Sequence, residues 1–235
     1  MKILITNDDG ITSSGIKRLA KLALKYGDVY VVAPDSQRSC ASHSITLRES
    51  IDMFPYDFPV ENVKAYTSTG TPADCVRIGV LNIVPGKPDV ILSGINYGYN
   101  AGTDTQYSAT VGAALEGSFQ KIPSIAISEG LDDSYLITDM YLEEILDKII
   151  NENPGEGNIW NVNFPLCAPD DFKGILYDRF VSKGCVYRDR YKSEEIKGGT
   201  RYTIDGIYNE DVEEDSDLYA LFHGYASVGL VHNIS

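Results

Sequence analysis

Four side chains in this sequence could share one hard cation: the adjacent carboxylates Asp8 and Asp9, the hydroxyl of Ser39 and the side-chain amide of Asn96. All offer oxygen, a donor set that suits Mg²⁺ or Mn²⁺ and suits zinc or copper poorly. An ion in such an open site lowers the pKa of a bound water and polarises a phosphoryl oxygen. Ser108 and Thr110 add two hydroxyls at the start of a helix, whose unpaired N–H groups form a ready anion site. Together these pieces describe a metal-dependent phosphatase. Singly, each has a plainer reading: the acid pair as a helix start or solubility feature, Ser39 as one of many hydroxyls, Asn96 as a residue tolerant of a left-handed turn, Ser108 as a helix cap.

The joint reading needs elements that deliver three loops to one edge. Lys2-Ile3-Leu4-Ile5-Thr6 is a short apolar run that breaks off into Asn7-Asp8-Asp9-Gly10, a first strand and its turn. Residues 14–26 then carry a helical stripe of Ile16, Leu19, Ala20, Ala23 and Leu24, with Gly27 placed to end it. Residues 29–33 read as a second buried strand stopped by Pro34-Asp35, which is the spacing of a βαβ unit. The hydroxyl-rich stretch 36–44 is a loop at the edge that carries Asp8. Residues 88–93 form the next clear buried strand and run into a glycine- and asparagine-bearing loop, 94–102, that contains Asn96. Binding crevices of open α/β sheets lie outside the carboxyl ends of the strands, where all three loops would meet.

The intervening segments complete a main sheet. Residues 45–58 read as an excursion or hairpin broken by Pro55, 63–67 as a strand, 107–116 as the start of a small-residue helix, 124–128 as a strand, 138–150 as a helix and 158–164 as the last strand. Thr71 reads as an N-cap with Pro72 first in its helix and Asp74 an acid in the first turn, so Asp74 has a structural explanation. From about residue 166 the pattern changes to short β-like runs at 174–180, 185–191 and 201–207. Basic residues (Arg179, Lys183, Arg188, Arg190, Lys192, Lys197, Arg201) and acidic ones (Glu210, Asp211, Glu213, Glu214, Asp215, Asp217) gather there. They read first as solvated faces and second as complementary patches between subunits. The expected architecture is a Rossmann-like three-layer α/β/α core with a mainly parallel sheet over residues 1–165, plus a C-terminal hairpin or arm extension over 166–235.

Composition narrows the function. The net charge of −14 would repel a nucleic-acid backbone, so duplex binding is not expected. Two like charges about 4 Å apart repel by roughly 4 kcal/mol at an effective dielectric near 20, so a phosphate facing Asp8 and Asp9 alone is disfavoured; a divalent ion between them reverses the sign. No apolar run is long enough to span a bilayer and the N-terminus does not read as a signal peptide, so no membrane partner and a cytoplasmic location are expected. Cys40, Cys75, Cys167 and Cys185 form no C-x-x-C pair, which argues against a zinc site or disulfide framework. The absence of G-x-G-x-x-G, G-x-x-x-x-G-K-[ST] and G-x-S-x-G counts against NAD binding, P-loop ATP use and serine-esterase chemistry.

Five ordered motifs sharpen this reading: residues 5–10 (ITNDDG), 38–46 (RSCASHSIT), 70–76 (GTPADCV), 93–102 (SGINYGYNAG) and 107–114 (YSATVGAA). Together they closely resemble the SurE (survival protein E) family of nucleotidases, more weakly so through residues 163–165 and 224–228. The resemblance implies a divalent-metal-dependent 5′-nucleotidase acting on nucleoside monophosphates, with 3′-nucleotide and short polyphosphate hydrolysis besides. It implies Asp8, Asp9, Ser39 and Asn96 as metal ligands, Asn100, Ser108 and Thr110 around the phosphate, and a homodimer or homotetramer built through the C-terminal arm. The expected mechanism is attack of a metal-activated water, with Asp9 or Asp8 as base and no covalent intermediate; the role of His43 is open. Three departures matter: Cys40 and Ala109 stand where the family usually has glycine, and Gly229-Leu230 where it usually has Thr-Pro. Two other readings are a haloacid-dehalogenase-like phosphatase with Asp8 as nucleophile, whose acid spacing this chain lacks, and a non-catalytic nucleotide or metal sensor on the same fold.

Overall fold

The computed structural model of the chain describes residues 1–131, 136–209 and 211–232; Glu210 of the acidic block lies outside them. Thirteen strands and five α-helices are found among these residues. The strands are β1 (Lys2–Thr6), β2 (Asp28–Pro34), β3 (Met53–Tyr56), β4 (Val63–Ser68), β5 (Val90–Tyr97), β6 (Ser124–Glu129), β7 (Asn158–Phe164), β8 (Gly174–Arg179), β9 (Tyr187–Arg188), β10 (Tyr191–Ile196), β11 (Gly199–Ile204), β12 (Ile207–Tyr208) and β13 (Tyr225–His232). The helices are α1 (Ser14–Ala23), α2 (Pro72–Ile78), α3 (Ala109–Phe119), α4 (Leu136–Ile149) and α5 (Asp217–Phe222).

Nine strands form one sheet in the order β3-β4-β2-β1-β5-β6-β7-β13-β8. From β4 to β7 all neighbours are parallel, and β3 caps one edge antiparallel to β4. Strand β1 is near the middle because its apolar run can bury on both faces. Ile3 and Ile5 point to the layer of α1 and α4, while Leu4 points to the layer of α2 and α3, and all three are fully buried. Each such side chain contributes about 1.5–3 kcal/mol. The α/β/α layering is thus the outcome of strand alternation on a two-sided sheet.

Local chemistry fixes the helix starts. Ser13 caps α1, and Ser108 caps α3 by accepting from Val111 N–H at 3.0 Å. Thr71 and Asp74 form a capping box with Pro72 in the first turn. Asp74 also accepts from the Thr46 N–H and hydroxyl, so its two oxygens are occupied by structural bonds.

The sheet does not stop at residues 158–164. β13 lies between β7 and β8, antiparallel to the first and parallel to the second, so two strands from beyond residue 165 belong to the main sheet. Long-range packing decides this: Ala226, Val228 and Val231 are buried apolar residues, and a Cβ at Gly229 would sit 1.9 Å from the Arg179 carbonyl oxygen of β8. The glycine at that departure from the family pattern permits the close approach of β8. The β10–β11 hairpin is exposed throughout. Several of the C-terminal charges pair within the chain, as Lys192 with Asp205 at 2.9 Å, Arg201 with Glu194 at 3.3 Å and Arg179 with Asp215 at 3.4 Å. Asp217 departs from the solvated-face expectation: it is 3% exposed. No described helix is long and apolar enough to cross a membrane.

Candidate active site

Strand β1 ends at Thr6, and the turn that follows places Asp8 and Asp9 at the carboxyl edge of the sheet. Asn7 shapes that turn: its Nδ2 donates to the Gly10 carbonyl at 3.1 Å and to Ser13 Oγ at 2.8 Å, tying the acid pair to the start of α1. The two carboxylates then diverge. Asp8, 4% exposed, turns toward α3 and accepts from the Thr110 hydroxyl at 2.5 Å. Asp9 is half-buried and accepts from the Tyr97 N–H at 3.2 Å and from Gln37 Nε2 at 3.5 Å.

Among the described residues no lysine or arginine pairs with either acid. Burial, reinforced by the neighbouring Asp9 and only partly offset by the Thr110 bond, pushes Asp8 from its ordinary 3.8 up to about 6. Burial also raises Asp9, against the Tyr97 and Gln37 bonds. A buried and a half-buried acid side by side, with no paired cation among the described residues, fit a bound divalent ion, which would supply the missing charge.

The other two oxygens arrive from β2 and β5. The Arg38 N–H donates to the Asp8 carbonyl at 2.7 Å, holding the loop after β2 beside the acids. On that loop Gln37 Nε2 donates to Ser39 Oγ at 2.9 Å as well as to Asp9, so one amide joins the Ser39 hydroxyl to the carboxylate. Gln37 lies in the polar loop two residues before Ser39, and nothing in that loop's composition distinguishes it. Asn96 belongs to β5 and not to the following loop, at the register shift between Ser93 and Asn96. Its Nδ2 donates to the Gly98 carbonyl at 2.8 Å, which leaves Oδ1 as the atom available to a cation. A cleft of about 270 Å³ beside Asp9 is lined by Ser13, Gln37, Ile95, Tyr97 and Glu129.

Directly against Asp8 stands the N-terminus of α3, through the Thr110 hydroxyl. Because Ser108 Oγ accepts from Val111 N–H, its own proton is free to donate outward, next to the first N–H groups of the helix. Asn100 is 6% exposed and held in an asparagine network: its N–H donates to Asn163 Oδ1 and its Nδ2 to Ser128 Oγ, both at 2.8 Å, while its carbonyl accepts from Asn161 and Asn163. It is thus fixed to β6 and β7, with one Nδ2 hydrogen and Oδ1 left over. α3 comes close to the 38–44 loop; a Cβ at Gly112 would be 2.5 Å from the Ser42 carbonyl oxygen.

The departures and His43 resolve differently. Cys40 has φ of +59°, a left-handed conformation costing an L residue about 1–2 kcal/mol. Ala109 opens α3, fully buried, with no positive φ to strain it. His43 Nε2 lies 3.0 Å from Glu116 Oε2 and its ring packs on Phe119, so it links the loop to α3. Burial raises the Glu116 pKa, but the His43 and Gln120 bonds and Arg77 outweigh that and leave it low, so the pairing is charge-assisted.

Three comparisons place this geometry among known proteins. The pattern of the survival protein SurE family matches residues 3–185. The 5′-nucleotidase SurE of Clostridium botulinum strain 657 is 40% identical over 238 residues, covering 99% of this chain and 93% of the relative. That of Caldanaerobacter subterraneus is 37% identical over 236 residues, covering 98% and 91%. The crystal structure of the SurE protein from Aquifex aeolicus superposes with a TM-score of 0.86 at 35% identity, covering 100% of this chain and 95% of that one.

Proposed function

This chain belongs to the survival protein SurE family, and from that premise we propose that it is a 5′-nucleotidase in which Asp8, Asp9, Ser39 and Asn96 hold Mg²⁺ or Mn²⁺ against the phosphate of a nucleoside monophosphate. The observation that carries the reading is the acid pair at the end of β1, Asp8 buried and Asp9 half-buried, with no lysine or arginine paired to either among the described residues and with the Ser39 hydroxyl joined to Asp9 through Gln37. When bound, the ion supplies positive charge to the phosphoryl oxygens and lowers the pKa of the attacking water. The chain's own groups do the rest. Ser108 Oγ–H, Asn100 Nδ2 and the first N–H groups of α3 receive the phosphate oxygens, donors aimed where charge develops. Asp9, the more open acid, takes the proton of the attacking water. Asp8, engaged by the Thr110 hydroxyl, is a ligand and not a nucleophile, so no aspartyl phosphate forms.

The same phosphoryl chemistry extends the proposal to 3′-nucleotides and short polyphosphates. For assembly we favour a homodimer or homotetramer, supported by the exposed Tyr191, Ile196, Tyr202 and Ile204 on the β10–β11 hairpin. The experiment is release of inorganic phosphate from a nucleoside 5′-monophosphate. With Mg²⁺ or Mn²⁺ turnover is expected; chelation is expected to remove at least about 99% of it, and added metal to restore it, as fits several kcal/mol of charge stabilisation. Turnover that survives chelation would refute the metal assignment.

A further inference from the structure

The loop from Asn100 to Ser108 carries the phosphate side of the site, and its middle is held by the C-terminal extension. Its first turn, Gly102–Gln106, begins with the Gly102 N–H donating to Asp217 Oδ2 at 2.9 Å. The other oxygen, Asp217 Oδ1, accepts from the Ser182 N–H at 2.9 Å and from the Leu218 N–H at 2.7 Å. Alongside, the Thr103 N–H donates to the Gly184 carbonyl at 2.8 Å and the Val186 N–H to Asp104 Oδ2 at 3.4 Å. Ala101 packs into one apolar cluster with Val186, Leu218 and Leu221. Gly102 has φ of +57°, and a Cβ there would lie 2.4 Å from the Gly184 carbonyl oxygen and 2.8 Å from Leu218 Cδ1.

We infer that Asp217 is a positioning residue for phosphate recognition: through the Gly102 N–H it fixes the 100–108 loop, so that the C-terminal extension sets where Ser108 and the first turn of α3 stand. The inference rests on the proposed reading that Asn100, Ser108 and the first N–H groups of α3 receive the phosphate, with Thr110 held on Asp8. A carboxylate is required because both of its oxygens accept. In Asp217→Asn the remaining carbonyl can keep Ser182 and Leu218, while the NH₂ is turned against the Gly102 N–H, donor to donor. The variant is expected to fold, because it removes a charge whose burial raises the Asp217 pKa despite the surrounding N–H bonds.

The test compares wild type, Asp217→Asn and a control, Leu146→Ala, which opens the fully buried core beneath α4 away from this loop. For Asp217→Asn, KM for a nucleoside monophosphate and the inhibition constant of inorganic phosphate are expected to rise about tenfold or more, with kcat within about threefold and Mn²⁺ affinity within about twofold. Amide exchange at Gly102 is expected to quicken by a similar factor. Leu146→Ala is expected to lose stability and keep both constants. Wild-type KM and phosphate inhibition in Asp217→Asn, or an equal rise in Leu146→Ala, would overturn the inference. Should Asp217→Asn not fold, Gly102→Ala presses on the same contact from the loop side and is read by the same outcomes. If the wild type neither hydrolyses nucleotides nor is bound by phosphate, the nucleotidase reading falls and takes the inference with it. Wild-type turnover beside an unmoved Asp217→Asn removes the inference alone.

Discussion

Asp8→Asn is expected to lower kcat/KM for a nucleoside monophosphate by at least about 10³-fold, which is about 4 kcal/mol of transition-state stabilisation. The substitution keeps the shape of the side chain and its capacity to accept from Thr110, so it removes charge and little else. A neutral amide in place of a carboxylate weakens the hold on a hard divalent ion and unbalances the site for a phosphate. Asp9→Asn is expected to lose as much or more, because Asp9 is assigned both to the ion and to the proton of the attacking water. Steady-state phosphate release at saturating Mn²⁺ checks both, and a loss under tenfold in the double variant would remove these residues from the site.

The same substitution is expected to act on stability in the opposite direction when metal is chelated. Asp8 has its pKa raised from 3.8 to about 6 in the folded chain, so the folded state holds a proton that the unfolded state has released. The contribution of Asp8 to folding stability is therefore greatest below about pH 4, declines as pH rises through 6, and levels off above it. The displacement corresponds to about 3 kcal/mol, at roughly 1.4 kcal/mol per tenfold. With chelator at pH 7.5, Asp8→Asn is expected to exceed wild type by about 1–3 kcal/mol, and the gap is expected to close near pH 4. Saturating Mn²⁺ is expected to reverse the order, because only the wild type gains the full binding free energy of the ion. Urea unfolding at three pH values, with and without metal, reads this crossing. Equal stability at pH 7.5 in chelator would mean that Asp8 carries no burden of charge in the fold.

What the sequence revealed and what it hid divide along range of interaction. The β1 run, the βαβ spacing to β2, and the caps at Thr71 and Ser108 follow from residues a few positions apart, where periodicity and capping chemistry act. So does the delivery of Asp8 and Asp9 to the strand end. The place of β13 between β7 and β8 depends instead on packing between segments far apart in sequence, such as Ser227 against Asn163 and Ala226 against Ile175, and on a glycine that lets two backbones touch. By composition Asp217 belongs with its acidic, solvated neighbours, although Ser216 before it is a helix cap, accepting from Tyr219 N–H, and an apolar run follows. That local signal announces a buried helix start; the identity of its distant partners, Gly102 and Ser182, could come only from the fold. The pairing of His43 with Glu116 and the bridging by Gln37 are of the same kind.

The most direct test of the site is a crystal of the protein equilibrated with Mn²⁺ and measured at the manganese absorption edge. Metal ligation by these residues predicts one dominant anomalous peak within ligand distance, about 2.0–2.3 Å, of carboxylate oxygens of Asp8 and Asp9, with Ser39 Oγ and Asn96 Oδ1 turned toward it. That peak should vanish in the Asp8→Asn, Asp9→Asn double variant. A fully occupied manganese elsewhere with none between these residues, or a peak that persists in the double variant, would contradict it.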